Sequence, residues 1–151
     1  MVDIIVLGKH GRRVIRDLLL GSTAEKIIRK ANIPVLIVKL TPSGPYDRPV
    51  IALDLEDMAR SMLELALRSL GSNVKNITAL HAYTAPFEGL IVPSLSPRKL
   101  SVYRSECKDE ALSGLHRLLK LTGDAGRWKV SVRHGDPRSV LLGRVPHIAR
   151  I

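Results

Sequence analysis

Asp3-Ile4-Ile5-Val6-Leu7-Gly8-Lys9-His10-Gly11-Arg12, then Gly21-Ser22-Thr23-Ala24-Glu25-Lys26-Ile27-Ile28, then Ile33-Pro34-Val35-Leu36-Ile37-Val38: these three phrases near the start of the chain decide its fold. The first is a short β-branched run closed by glycine, the pattern of a strand buried on both faces of a parallel sheet. In the second, Ser22 and Glu25 have the spacing of a capping box, so a helix is expected to begin there. Ala24, Ile27, Ile28 and Ala31 fall on one face of it, with Lys26, Arg29 and Lys30 outside, and the basic residues near its end suit the helix dipole. Asn32 and Pro34 end the helix, and Pro34 to Val38 reads as a second buried strand. Residues 1–38 thus form one strand, helix, strand unit, with a right-handed crossover expected.

Working outward, Lys39 to Pro49 carries Pro42, Ser43, Gly44, Pro45 and Pro49 and has the composition of a linker. Beyond it Val50-Ile51-Ala52-Leu53-Asp54 is a strand. Met58 to Leu70 is a helix with an apolar stripe at Met58, Met62, Leu65, Ala66 and Leu70, closed by Gly71 as a left-handed cap. Asn76 to Ala82 is the next strand. A proline-containing loop from Tyr83 to Pro97 follows, long enough to be a cover over a site or simply a mobile connection. Residues 98–121 are the longest helix, with Leu100, Tyr103, Cys107, Ala111, Leu115 and Leu118 or Leu119 at helical spacing. Trp128 to Arg133 alternates as a strand, and Gly135-Asp136-Pro137 turns it into a last helix weakened by Gly143 and Pro146. Five strands alternating with helices predict an α/β fold, an open, doubly wound, mostly parallel five-stranded sheet with helices on both faces. The organisation read from composition is a unit over 1–40, a linker over 41–49 and a larger part over 50–151.

The chain has 151 residues, room for one domain's core and too few for two complete α/β domains. Its single cysteine, Cys107, allows no internal disulfide, which fits a cytoplasmic protein better than a secreted scaffold; on the apolar face of a long helix it is expected to be a buried thiol. The apolar runs are strand-sized and Asp3 precedes the first of them, so neither a membrane span nor a secretory leader is expected. A net charge of +10 points to anionic partners, and residues 1–40 hold eight Lys and Arg against three acids, the denser end.

The constellation that carries chemistry is Gly8, Gly11, Gly21 and Ser22, between a strand and the start of a helix. Gly8 and Gly11 let the chain turn off the strand tip and bring amides close to a ligand. Gly21, Ser22 and Thr23 add amides and hydroxyls at a helix N-terminus, where unpaired N–H groups favour a phosphate.

These phrases, nearly continuous over about 38 residues, closely resemble the C-terminal half of the universal stress protein family. The resemblance implies a Rossmann-like fold and, in the ATP-binding branch, a glycine and serine pattern that holds the phosphates and ribose of ATP with a divalent cation, Mg or Mn. Residues from Val50 onward resemble the family's N-terminal half. Asp54 matches the aspartate ending its first strand, which contacts the nucleotide, and Ala52 and Leu53 match the backbone positions before it. Ala82 stands where the family usually has a valine whose backbone meets the adenine, so the base loses some apolar cover. Gly135-Asp136-Pro137 matches the turn after the third strand. The two halves stand here in reversed order, as expected of a tandem junction, of a permuted domain, or of one completed by segment swap between chains. The resemblance also implies a homodimer through the edge strand at Pro34 to Val38, a strand that needs a cover.

The function expected is adenine nucleotide binding in stress response or signalling, and more a regulatory protein than an enzyme. A slow ATP hydrolase is the alternative. It would need a positioned water and charge stabilisation beyond binding, and no base is committed: Asp54 suits ribose or metal, and no Walker lysine follows the glycines. No catalytic or metal-ligating set is expected, since His10, His81, His116, His134 and His147 are scattered singly and read as surface or strand-end residues. A basic nucleic-acid binder is a further alternative, disfavoured because Tyr46, Tyr83, Phe87, Tyr103 and Trp128 are dispersed and offer no stacking platform.

Overall fold

A computed structural model describes residues 3–8, 22–38, 44–123 and 125–144. The chain divides into two units, Met1–Pro45 and Tyr46–Ile151.

In the first unit β1 (Ile5–Gly8) pairs in parallel with β2 (Val35–Val38), and α1 (Ser22–Lys30) lies between them in sequence. The register sets Ile5 against Val35 and Gly8 against Val38, extended by Ile5 N donating to the Pro34 carbonyl at 2.9 Å. Ala24, Ile27 and Ala31 are half-buried as the helical period requires, but Ile28 is 41% exposed and α1 buries no residue fully. Val6 and Leu36 are likewise exposed, so one strand face within this unit lacks cover.

The second unit is a three-stranded parallel sheet, β3 (Val50–Ala52), β4 (Ile77–Tyr83) and β5 (Trp128–His134), in the order β3-β4-β5. Five strands were expected in one sheet; they form two, each pairing inside its own unit, and every described pairing is parallel. Ile51, Leu53, Ile77 and Ala79 share a sheet face with Trp128, Val130 and Val132. On this face pack α2 (Ala59–Leu70) through Leu63 and α4 (Pro97–Lys120) through Leu115 and Leu119. Parallel neighbours need crossovers, and two right-handed ones in the same direction put both helices on one face.

The α4 stripe lies as its spacing predicts, with Leu115 and Leu119 buried and Leu100, Tyr103, Cys107, Ala111 and Leu118 half-buried. Cys107 is thus partly covered instead of fully buried. Ser96 caps this helix, accepting from Lys99 N at 3.4 Å, and Pro97 occupies the first turn, where no N–H is missed. The α2 stripe differs. Met58 and Met62 are 70% and 54% exposed, while Ala59 and Leu63 are buried, followed by Ala66, Leu67 and Leu70 against the core. Both rows are helically periodic, and the row led by the small Ala59 is the one that packs. Gly71 ends α2 with φ 76° and ψ 173°, a positive-φ cap but not the left-handed one expected. Arg127 donates to the Val74 carbonyl at 2.9 Å and the Gly71 carbonyl at 3.0 Å, pinning the turn from α2 to β4.

Between β4 and α4 the expected loop contains α3 (Glu88–Ile91) and a single 3-10 turn, Val92–Ser94. After β5 comes α5 (Pro137–Arg144), which touches β4.

Candidate functional site

The candidate residues fall at the carboxyl ends of parallel strands, where open parallel sheets bind ligands. In the first unit Gly8 ends β1, and α1 starts at Ser22 with the Ser22 and Thr23 side chains exposed. Because α1 runs back against the direction of β1 and β2, its N-terminus and the tip of β1 lie at the same end. Among the described residues a Cβ built on Gly8 would meet nothing within 4 Å, so their packing does not demand glycine there. The open space suits a group from outside that approaches the backbone closely. Gly11 and Gly21 lie outside the described residues.

In the second unit Ala52 ends β3, Leu53 is buried and Asp54 is exposed. Leu53 N donates to the Leu80 carbonyl at 2.9 Å, and the Leu53 carbonyl accepts from His81 Nδ1 at 2.7 Å. Both backbone groups of Leu53 therefore have partners within the protein. Asp54 Oδ1 accepts from Glu56 N at 3.2 Å, and Leu55 between them has φ 66°, a left-handed value that a leucine adopts only under constraint. Ala82 lies beyond the end of the β3 pairing, which stops at Leu80, while β5 accompanies β4 to Tyr83. Its strand edge toward β3 is past the ladder, as a main-chain contact to a ligand would require.

His81 was expected at a surface or strand end; it is 9% exposed and hydrogen-bonded, a structural tie between β4 and the tip of β3. His134 pairs through Nε2 with Glu88 Oε2 at 2.6 Å. Both partnerships span long sequence separations, which no local spacing announces. The Gly135 turn is strict: at φ 132° its N–H donates to the Tyr83 carbonyl at 2.9 Å. Asp136 then caps α5, accepting from Ser139 N at 2.9 Å and Ser139 Oγ at 3.0 Å, and these bonds, the backbone one foremost, hold its carboxyl below the usual range.

Chemically, Ser22 and Thr23 offer hydroxyls to phosphate oxygens, and the exposed Asp54 carboxylate suits a ribose hydroxyl or a divalent cation. Among the described residues no three His, Cys, Asp or Glu side chains gather into a metal cluster. No described helix is long and apolar enough to cross a membrane.

Comparison with known proteins concentrates on the first unit. Residues 1–39 match the universal stress protein family. A universal stress protein of Methanocaldococcus jannaschii is 53% identical over 38 residues, 25% of this chain and 24% of that protein. A second from the same organism is 49% identical over 37 residues, 24% of this chain and 22% of its own length. One from Synechocystis sp. is 46% identical over 35 residues, 23% and 12% of the two chains. The chain thus spans about a quarter or less of the length of the curated relatives it matches. The matched stretch holds β1, the glycines, the start of α1 and β2, and over it the chain is similar to the universal stress protein family.

Proposed function

We propose that this chain is a stress-response protein that binds adenine nucleotide, ATP with Mg or Mn, and acts through the bound state more than through turnover. The observation that carries this reading is the tip of β1. Gly8 leaves open space at the backbone, and Ser22 and Thr23 stand exposed at the start of a nine-residue helix that can direct its first N–H groups at a phosphate. The second unit, taken by itself, carries the exposed Asp54 at the tip of β3 and the edge of Ala82 past the β3 ladder, the residues that the resemblance assigns to nucleotide contact. The same reading gives a homodimer through β2, whose Leu36 is 43% exposed beside an edge that needs pairing or cover.

The test is denaturing extraction of the purified protein followed by mass analysis for ATP and ADP. The expected result is a nucleotide signal from the wild type that is lost in a Gly21→Val, Ser22→Ala double variant with an unchanged circular dichroism spectrum. Retention of the signal in that variant, or a wild type that takes up no ATP on titration, overturns the assignment. Light scattering on the same preparations reads the dimer, and a monomeric mass overturns it.

A further inference from the structure

One carboxylate of the second unit ties three elements together. Glu88, the first residue of α3, accepts through Oε1 from Arg104 Nε of α4 at 2.7 Å and from the neighbouring guanidinium nitrogen, while Oε2 pairs with His134 Nε2 of β5. Tyr83, the last residue of β4, closes the ring. Its aromatic ring stands edge-on to the His134 imidazole with centroids 5.4 Å apart, and its hydroxyl donates to the Arg104 carbonyl at 3.4 Å.

Among the described side chains of the segment that Glu88 fastens, residues 84–95, few apolar ones are covered, and Leu95 is half-buried. Ala85 is buried, but Phe87 and Leu90 are 73% and 77% exposed, and Phe87 sits at an unfavourable φ of 55°. Its other described fastening is again polar, Tyr103 Oη donating to the Pro86 carbonyl at 2.6 Å. A stretch held by a few polar bonds and little burial belongs to the low end of local stability. It leaves β4 at its carboxyl end and is pinned to the carboxyl end of β5, the edge at which ligands of parallel sheets bind.

We propose that Glu88 is a latch: ionised, it holds segment 84–95 down as a lid on the carboxyl ends of β4 and β5, and protonated, it releases the lid. The proposal does not depend on which ligand the protein binds. The groups facing Glu88 are Arg104 and Tyr103 of α4, Tyr83 of β4 and His134 of β5, with Cys107 of α4 acting on both tyrosines and Asp109 of α4 on Tyr83. The hydrogen bonds from Arg104 first, and from His134 next, hold the Glu88 carboxyl below its usual range. The sign follows: a depressed carboxyl keeps the latch shut above the ordinary glutamate value and loses it as pH falls through the lowered one.

Hydrogen exchange read by mass spectrometry on the full chain tests this. At neutral pH, Glu88→Gln is expected to speed exchange across residues 85–92 by about fivefold, with strands 77–83 and 128–134 unchanged. Arg104→Gln is expected to act in the same direction. Wild-type protein, corrected for the intrinsic pH dependence of exchange, is expected to show the same local acceleration in acid, and Glu88→Gln to show none beyond its neutral-pH level. Wild-type rates in Glu88→Gln at neutral pH, or acceleration as large in the two strands as in the segment, overturn the latch. The wild-type pH series decides the matter if a variant does not fold.

Discussion

Replacing His81 by leucine removes the donor that ends the β3 and β4 pairing. The imidazole Nδ1 gives its proton to the Leu53 carbonyl at 2.7 Å, in a setting where His81 is 9% and Leu53 4% exposed. The regular ladder stops at Ala52 and Leu80, so this side chain does for Leu53 what the next strand bond would have done. A buried carbonyl stripped of its donor costs about 1–3 kcal/mol. Leucine returns roughly 1 kcal/mol of that through its apolar surface, leaving a net loss of about 1 kcal/mol at the centre of the range and at most about 2 kcal/mol. At a urea m-value of about 2 kcal/mol/M, mid-range for a small domain, the midpoint should fall by roughly 0.5–1 M. The fluorescence of Trp128, the single tryptophan, reports it, since its indole donates to Thr122 Oγ1 at 3.1 Å and its ring packs on the core. His81→Asn places an N–H near the Nδ1 position and should recover part of the loss. A His81→Leu protein as stable as wild type, or an asparagine variant no better than leucine, would refute the reasoning.

Two further outcomes follow from the second unit. Leu115→Ala deletes a side chain with 0% exposure at the meeting of α4 with the sheet, and should cost about 2–5 kcal/mol in the same urea titration. In acid, α5 should fray before the sheet does: Asp136 has a lowered pKa, so its cap is intact above the ordinary aspartate value and lost as pH falls through the depressed one. Amide exchange in residues 138–142 should therefore rise in acid for wild type, and Asp136→Ala, which has no oxygen to accept from Ser139, should show that rise already at neutral pH.

The parts of this fold legible in the sequence are those that local pattern determines. β-branched runs between turn residues gave the strands, and α4 shows its core face because Leu100 to Leu119 offers one apolar row. On α2 two adjacent rows compete, and the exposed Met58 and Met62 look as apolar in sequence as the Leu63 that packs. Sheet membership was not legible either, because strand type says nothing about which edges pair. At the candidate site the glycines and Ser22 stand out by spacing. The roles of His81 and His134 depend on partners 28 and 46 residues away and become visible only in three dimensions.

The turn carrying Asp54 shows how the fold holds an exposed carboxylate in place without packing the carboxylate itself. Leu55 takes a left-handed backbone conformation that costs on the order of 1–3 kcal/mol for a non-glycine residue. What offsets it is burial on the far side of the turn: the Leu55 side chain packs against the core, over Gly114 of α4, where an added Cβ would come within 3.2 Å of Leu55 Cδ1. Gly114 weakens α4 by its helix propensity, roughly 1 kcal/mol relative to alanine, and in exchange gives Leu55 its seat. With Leu55 anchored, Asp54 must face outward, and its Oδ1 bond to Glu56 N sets the carboxylate's orientation at the tip of β3. Strain at Leu55, a glycine inside a long helix and a histidine tie beneath Leu53 thus converge on one short turn. The first two run against a local preference, and together the three fix the Asp54 carboxylate, exposed like Glu56 and Asp57 that follow it, at the tip of β3.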